Sequence, residues 1–328
     1  MIDNLKIACV MPCYKETNHI LEVLNKIPNI VDLIFVIDDG CPDKTGELVL
    51  KKNKDPRVKV IFLKNNLGVG GATVAGYKEA IKNNVDITVK IDGDGQMDPI
   101  YLEKIISPIV SKKCDYTKGN RFFFINDVKS MPKGRIFGNI CLTFLSKFSS
   151  GFWEISDPTN GYTAIHKEAL KSLDLDKVSR GYFFESDVLC KLYLIRAKVL
   201  DVPITANYGN EESGINIIKI IPLFLRLHSY NFFKRIIVVY FLRDFNFYSL
   251  NLLFGAILFV FGIIFGLIHF IMSLTLGVTA SAGTVMISAL PIFTGFVSLM
   301  QFMSFDIKNS PKFPLHQNNK VNEVDEDI

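Results

Sequence analysis

The chain has 328 residues, with 37 Lys or Arg against 33 Asp or Glu, so its formal net charge is only +4. None of those charges falls within the 61 residues from Phe245 to Phe305. An uncharged run of that length holds two spans of about 20 apolar residues with a turn between them, which excludes a wholly soluble protein.

The N-terminal part alternates between strand and helix patterns. Apolar runs at Lys6–Met11 and Val31–Ile37 predict buried parallel strands, and the apolar spacing of His19–Ile27 predicts an amphipathic helix between them. The alternation continues with predicted strands at Val58–Leu63 and Ile87–Ile91 and predicted helices at Gly71–Asn83 and Pro99–Lys112. We therefore predict an open, doubly wound α/β sheet, in which ligands bind at the carboxyl ends of the strands.

The C-terminal part predicts a membrane anchor. Ser249–Ser273 and Gly283–Ser304 are the predicted spans, and the cations that flank them, with none in the connecting turn, place both chain ends in the cytoplasm. No signal-like segment opens the sequence, so we expect the N-terminal part to stay in the cytosol. The predicted division is an α/β domain over 1–214, interfacial amphipathic helices over 215–244, a hairpin over 245–305 and a disordered cytoplasmic tail over 306–328. Basic residues beside the spans suit a membrane surface, and nucleic acid is not an expected partner.

An acidic motif, Asp92-Gly93-Asp94-Gly95-Gln96, follows the fourth predicted strand. Two carboxylates one residue apart at a strand end suit a hard divalent cation such as Mg²⁺ or Mn²⁺, which can bridge a diphosphate. The carboxamide of Gln96 would complete the ligand set. An acidic turn without a ligand is the alternative explanation, because Asp and Gly are common turn residues.

Three further strand ends carry polar or glycine residues where a nucleotide can bind. They are Met11–Glu16, with Pro12, Tyr14 and Glu16; Asp38–Thr45, with Asp38 and Asp39; and Asn66–Ala72, with Gly68 and Gly70. Ligands of such sheets bind at the carboxyl ends of the strands, so the four motifs predict one pocket. The structural alternatives are that Tyr14 only covers the core and that Asp38 caps a helix.

Together these motifs resemble those of the family 2 glycosyltransferases, and within them the dolichyl- or polyprenyl-phosphate sugar synthases with a C-terminal membrane hairpin. The resemblance implies a GT-A fold, a UDP- or GDP-linked nucleotide-sugar donor and a polyprenyl-phosphate acceptor. It also implies roles for individual residues. Nucleotide-sugar contacts are expected from Pro12, Tyr14, Glu16, Asp38, Asp39, Gly68, Gly70 and Asp92, and metal ligands from Asp92, Asp94 and Gln96.

The resemblance places the acceptor phosphate against two arginines. Arg121 follows a predicted strand at Asp115–Lys118, and Arg135 lies fourteen residues later, with Asn139 one helical turn beyond it. Arginine suits this role because its planar fork pairs with two phosphate oxygens. A surface salt bridge is the alternative for either arginine, and Asn139 stands where similar enzymes more usually have Ser.

Two acids resemble those that lie near the reacting centre in the family: Asp157, in the turn Ser156–Tyr162, and Glu185, in Gly181–Asp187. A sugar-hydroxyl acceptor needs an acidic residue as its base, whereas a phosphate acceptor is already ionised at neutral pH. With a phosphate acceptor, Asp157 would instead orient the sugar or the phosphate. Capping of the next turn is the structural alternative for Asp157.

The sequence thus predicts a membrane-anchored hexosyltransferase that works with inversion and uses Asp94, Asp157 and Arg121 as its catalytic residues. Transfer to a hydroxyl of a lipid-linked glycan is one alternative. A non-catalytic membrane scaffold that binds a nucleotide-sugar is another. A second copy of the chain and a flippase are the candidate protein partners.

Overall fold

In the computed structural model, residues 5–123, 133–205 and 217–317 are described, apart from the side chains of Lys133, Arg135 and residues 217–220. The chain forms two compact units. The first consists of Met1–Phe232 with Pro311–Ile328, and the second of Phe233–Ser310.

The first unit is built on a sheet of seven strands. These are β1 (Ile7–Cys13), β2 (Leu33–Asp38), β3 (Val58–Phe62), β4 (Ile87–Lys90), β5 (Tyr116–Asn120), β6 (Thr163–His166) and β7 (Val199–Pro203). Their order in the sheet is β3-β2-β1-β4-β6-β5-β7. Every pairing is parallel except those that β6 makes with β4 and β5. This mostly parallel sheet confirms the predicted α/β class.

Seven helices are described between the strands of this unit. They are α1 (Ile20–Lys26), α2 (Thr45–Lys52), α3 (Gly68–Lys82), α4 (Leu102–Val110), α5 (Lys133–Ser150), α6 (Lys167–Ser172) and α7 (Phe184–Leu194). An eighth, α8 (Ile217–Ile236), follows β7 and belongs to this unit up to Phe232. β1 is buried along its whole length, which explains its continuous apolar sequence. α1 buries Ile20, Val23 and Leu24, the positions whose helical spacing predicted it.

The second unit contains a π-helical segment, Ile237–Arg243, followed by α9 (Phe247–Leu276) and α10 (Ala282–Lys308). Both helices are long and apolar enough to cross a membrane, and their most apolar windows have mean hydropathies of 2.6 and 1.7. They pack through small residues: a Cβ added to Gly295 would lie 2.6 Å from the backbone nitrogen of Phe259. Such close approach of backbones is typical of paired membrane helices.

The second unit contains a buried ion pair between Arg235 and Asp306. Arg235 donates from Nη1 and Nη2 to the two carboxylate oxygens of Asp306, at 2.5 and 3.1 Å. The Tyr240 hydroxyl donates to the same carboxylate at 2.5 Å. The two hydrogen bonds from the Arg235 guanidinium and the one from the Tyr240 hydroxyl compensate the charge of Asp306, whose side chain is only 1% exposed.

The segment after α10 is ordered up to residue 317, where the sequence predicted a disordered tail from residue 306. The backbone N–H of Leu315 donates to both carboxylate oxygens of Asp115 at 2.9 Å, and His316 Nδ1 lies 2.9 Å from the same carboxylate. Asp115 is fully buried at the start of β5 and needs donors, which residues 315 and 316 supply. The structure therefore differs from the predicted tail over 306–317, where the last helix continues to Lys308 and residues 315 and 316 contact Asp115. Residues 318–328 lie outside the described part.

Candidate active site

The loops that follow β1, β2, β3 and β4 lie close together at one edge of the sheet. The backbone N–H of Asp39 donates to the carbonyl of Cys13 at 3.0 Å, which joins the ends of β1 and β2. A Cβ added to Gly93 would lie 2.9 Å from Cys13 Sγ, and one added to Gly40 would lie 2.9 Å from the backbone of Asn65. The four motifs that the sequence analysis assigned to one pocket are thus spatial neighbours.

The two acids at the end of β2, Asp38 and Asp39, support the loops around them. Both carboxylate oxygens of Asp38 accept backbone N–H groups, from Cys41 at 2.8 Å and from Gly46 at 2.7 Å, so Asp38 fixes the start of α2. Asp39 Oδ1 accepts the N–H of Leu67 at 2.7 Å. Burial raises the pKa of Asp39, although hydrogen bonds from the backbone oppose the rise. Asp38 therefore has the structural role that was weighed as its alternative, and nucleotide contacts by either acid stay a prediction.

The first motif turns outward at Tyr14. Pro12 is buried within β1, whereas the Tyr14 side chain is 41% exposed, with Lys15 Nζ 5.6 Å from its ring centre. Glu16 is half-buried, and its backbone N–H contacts the Thr45 hydroxyl at 3.3 Å. Pro12 lies inside the strand and Tyr14 and Glu16 beyond it, and the contact of all three with a nucleotide stays a prediction.

The glycines in the first turn of α3 allow close packing against the backbone that precedes α7. Gly68 has a φ of +79°, and a Cβ there would lie 2.7 Å from the carbonyl of Arg180. The N–H of Gly70 donates to that carbonyl at 2.9 Å, and a Cβ on Gly70 would lie 2.5 Å from the carbonyl oxygen of Ser179. The two glycines thus have a packing role, and their contact with a nucleotide stays a prediction.

Gly70→Ala is expected to destabilise the first unit by about 1–3 kcal/mol, because the new methyl group has no space against the backbone of Ser179. Thermal unfolding measures the loss. Gly181→Ala is the matched control, since a Cβ there meets nothing within 4 Å. An unchanged melting temperature combined with weaker nucleotide binding would show instead that Gly70 is chiefly a ligand contact.

The acidic motif begins two residues after a buried lysine. Lys90, the last residue of β4, donates to Asp92 Oδ1 at 2.7 Å and lies 3.2 Å from Glu185 Oε1, and its side chain is fully buried. Burial alone would lower the pKa of Lys90, but Asp92 and Glu185 outweigh it and raise the pKa. Asp94 Oδ1 accepts the backbone N–H of Gln96 at 2.9 Å. The Asp92 carboxylate is thus held in a fixed direction at the strand end.

The oxygen ligands of this motif fit a hard divalent cation. Asp92 and Asp94 supply carboxylates and Gln96 a carboxamide, and all three side chains are partly exposed. Across the described ranges, no three His, Cys, Asp or Glu side chains gather as a complete cage. A partial set of two carboxylates is what Mg²⁺ needs where substrate phosphates provide further oxygens.

Directly after β5, Arg121 pairs with Asp157. Arg121 Nε and Nη2 donate to the two carboxylate oxygens at 2.7 and 2.8 Å, and the backbone N–H of Arg121 donates at 3.1 Å. Asp157 is fully buried and has a left-handed backbone with a φ of +50°. The structure thus brings together two of the predicted catalytic residues and directs the carboxylate at the guanidinium.

The remaining predicted phosphate ligands lie on α5. The side chain of Arg135 lies outside the described residues, and Asn139, four positions later, is half-buried. The same helix leaves Phe137, Ile140 and Phe144 exposed by 70, 61 and 57%. These three residues form an apolar stripe at helical spacing, here called the α5 stripe.

Sequence analysis missed two buried lysines, Lys90 and Lys118, which both lie opposite Thr163 of β6. Lys118 donates to the carbonyl of Asn160, within the same turn as Asp157. Burial lowers the pKa of Lys118 to about 8, and Asp157 and Glu185 oppose that shift. A lysine inside an otherwise buried strand, just before a strand-end motif, is the signal that could have revealed both.

Comparison with solved structures shows that the first unit has the fold of the GT-A glycosyltransferases. Glucosyl-3-phosphoglycerate synthase from Mycobacterium tuberculosis, solved with Mn²⁺, uridine diphosphate and glucosyl-3-phosphoglycerate, aligns with a TM-score of 0.53 and 18% identity. The alignment covers 71% of this chain and 80% of that one. Mannosyl-3-phosphoglycerate synthase from Rubrobacter xylanophilus aligns with the same TM-score, 15% identity and coverages of 71 and 74%.

Sequence comparison gives the family. Residues 8–174 match glycosyl transferase family 2. The chain is 31% identical over 243 residues to the UDP-N-acetylglucosamine–dolichyl-phosphate N-acetylglucosaminyltransferase of Methanococcus voltae, covering 69% of this chain and 96% of that protein. It is 29% identical over 212 residues to the polyprenol monophosphomannose synthase of Mycolicibacterium smegmatis, with coverages of 63 and 78%. The protein therefore belongs to glycosyl transferase family 2 and is a glycosyltransferase.

Proposed function

We propose that the protein transfers a sugar, with inversion, from a UDP- or GDP-linked donor to the phosphate of a membrane polyprenyl phosphate. The observation that carries the proposal is the contact between the two halves of the site. A Cβ added to Gly161, in the turn of Asp157, would lie 2.7 Å from Asp92 Oδ2. The acids proposed for the donor and the Arg121–Asp157 pair proposed for the acceptor therefore adjoin. The relatives named for dolichyl- and polyprenol-phosphate transfer support the same acceptor class.

On the donor side, Tyr14, Glu16 and Asp39 would contact the nucleoside. Asp92, Asp94 and Gln96 would hold Mg²⁺ or Mn²⁺, which supplies charge stabilisation for the nucleoside-diphosphate leaving group. The M. tuberculosis synthase of this fold was solved with Mn²⁺ and uridine diphosphate, and our assignment of a cation here rests on the carboxylates of this chain.

On the acceptor side, Arg121 would orient the phosphate, with Arg135 and Asn139 as further proposed contacts. A phosphate oxygen is already ionised at neutral pH, so the attack on the anomeric carbon needs no base. Asp157 is engaged by Arg121 through both of its oxygens, which suits a residue that aims the guanidinium. This geometry favours a phosphate acceptor over a sugar hydroxyl.

The apolar helices fit an acceptor that lies in a membrane. We place α9 and α10 across the bilayer, with both chain ends in the cytoplasm as the flanking cations indicate. The α5 stripe is our proposed contact with the lipid acceptor, because its three large apolar side chains are exposed on one helix face. Anchoring a site beside a lipid acceptor raises the effective concentration of that acceptor.

Replacing Phe137 and Phe144 together by Ser is expected to raise the KM for polyprenyl phosphate by roughly tenfold, because two aromatic contacts with lipid are lost. The KM for the donor and the insertion of the hairpin should not change. Leu50→Ser is the control, since Leu50 is 62% exposed on α2 without belonging to the α5 stripe. Equal changes in the KM for polyprenyl phosphate in both variants would contradict the proposed contact of the α5 stripe with lipid.

The proposed activity is tested by incubating membranes that contain the protein with labelled UDP- and GDP-sugars and polyprenyl phosphate. Formation of an acid-labile lipid-phosphate sugar is the expected result. A glycan-linked product would favour transfer to a hydroxyl, and no product from any donor would favour a scaffold. The donor that reacts also identifies the sugar and the nucleotide.

A further inference from the structure

The centre of the sheet contains two lysines with no exposed surface. Lys90 in β4 and Lys118 in β5 are both paired with Thr163, the first residue of the intervening strand β6. Residues that lie directly opposite each other on neighbouring strands point to the same face of a sheet. The two side chains therefore belong to one layer beneath the site.

The two ammonium groups reach opposite halves of the site and contact consecutive carbonyls. Lys90 Nζ donates to Asp92 Oδ1 at 2.7 Å and lies 3.5 Å from the carbonyl of Gly161. Lys118 Nζ donates to the carbonyl of Asn160. Lys90 is thus held mainly by the acidic motif, with a longer contact to the turn that contains Asp157, whereas Lys118 donates to that turn.

Glu185 is the second carboxylate that compensates the charge of Lys90. It belongs to the first turn of α7, is 8% exposed, and lies 3.2 Å from Lys90 Nζ. For Lys118, burial lowers the pKa, and the charges of Asp157, Glu185 and Asp201 oppose that shift. A buried ammonium group is unfavourable unless carboxylates and hydrogen bonds compensate it, and well-packed apolar side chains often stabilise such positions better. Two buried lysines at these positions therefore indicate a role beyond stabilising the fold.

We propose that Lys90, Glu185 and Lys118 form a buried charge row that positions both halves of the active site. Lys90 aims Asp92 on the donor side, and Lys118 fixes the turn that aims Asp157 and Arg121 on the acceptor side. Glu185 is the counter-ion of Lys90 and does not act as a base. This inference rests on the proposed function, because it assigns a donor side and an acceptor side.

Two isosteric variants separate the two halves. Lys90→Met is expected to weaken binding of nucleoside diphosphate with Mn²⁺ by at least about tenfold, the scale of one lost charge-assisted hydrogen bond. It should raise the KM for polyprenyl phosphate less than Lys118→Met does, because Lys90 contacts the Asp157 turn only at 3.5 Å. Lys118→Met is expected to raise that KM by at least about tenfold and to weaken nucleotide binding less than Lys90→Met does. Calorimetric titration with UDP and GDP in the presence of Mn²⁺ measures the first quantity without turnover, and initial rates measure the second. Equal losses on both sides in either variant would overturn the proposal.

A charge-balanced variant separates positioning from folding. Lys90→Met leaves two carboxylates without their cation, so its melting temperature should fall, and adding Glu185→Gln should recover much of that loss. The weaker binding of nucleoside diphosphate should persist in the double variant, because Asp92 still lacks its partner. Recovery of binding together with stability would show that the row only stabilises the fold. Lys167→Met is the control, since Lys167 pairs with Asp86 at 2.6 Å away from the site.

These measurements also separate this inference from the proposed function. In one outcome the wild type binds nucleoside diphosphate with Mn²⁺ but transfers no sugar to polyprenyl phosphate. That result contradicts the proposed function and the acceptor-side role of Lys118. The donor-side role of Lys90 is then decided by calorimetry. If the wild type transfers sugar and Lys90→Met binds nucleotide normally, only the charge row is contradicted.

Discussion

Asp94→Asn is expected to lower kcat by at least about a thousandfold while the protein stays folded, because the substitution removes a charge and keeps the shape. Asp94 Oδ1 accepts the backbone N–H of Gln96 at 2.9 Å, and the carboxamide oxygen of an asparagine can accept the same bond. The variant loses an anionic oxygen for the proposed divalent cation. Initial rates across a Mn²⁺ titration, with thermal unfolding measured in parallel, test this expectation.

Asp98→Asn is the matched control for that variant. Asp98 lies in the same loop, and its carboxylate accepts the N–H of Ile100 at 3.0 Å at the start of the 3₁₀ turn Pro99–Tyr101. Only a small loss of stability is expected, with kcat within about threefold of the wild type, because this acid caps a turn. Removal of divalent cations with EDTA should likewise stop the wild type, and Mn²⁺ or Mg²⁺ should restore it. If Asp94→Asn kept more than about a tenth of the wild-type kcat, the cation assignment would fail.

The first half of the fold could be predicted because each strand is a compact apolar run. β1, β2 and β4 are buried almost throughout, so the sequence shows them directly as continuous apolar runs. β3 is the edge strand and is only partly buried, but four of its five residues are apolar. β6 and β7 could not be found in this way. β6 is the four residues Thr163–His166 and inserts antiparallel between β4 and β5, so its identity as a strand depends on neighbours that are distant in sequence.

The clustering of the four strand-end motifs could be predicted, because topology alone brings such ends to one edge of a sheet. The contacts within that cluster could not be predicted. The packing role of Gly70 and the cap made by Asp38 depend on loops far away in the chain. Lys90 and Lys118 were not predicted because a lysine in a strand normally reaches solvent. In the structure both lie opposite Thr163 and both are buried.

Asp157→Asn is expected to raise the KM for polyprenyl phosphate by about 10- to 100-fold and to leave the pH dependence of kcat/KM unchanged. Both oxygens of Asp157 are engaged by Arg121, at 2.7 and 2.8 Å, so the carboxylate holds the guanidinium and is poorly placed to take a proton. Arg121→Lys should shift the same KM in the same direction, because lysine keeps the charge and loses the planar fork. Initial rates over a range of acceptor concentrations and pH values measure these effects.

Asp201→Asn is the control for the loss of a buried acid near this turn. Asp201 accepts the N–H of Ser156 at 2.8 Å and the carboxamide of Asn120 at 3.0 Å, and burial raises its pKa to about 6. It should alter stability with little change in the KM for the acceptor. If Asp157→Asn instead lowered kcat by more than about a thousandfold and abolished the acidic limb of the pH profile, Asp157 would be a general base. A base is required only when the attacking group must lose a proton, so that outcome would replace the phosphate acceptor by a sugar hydroxyl.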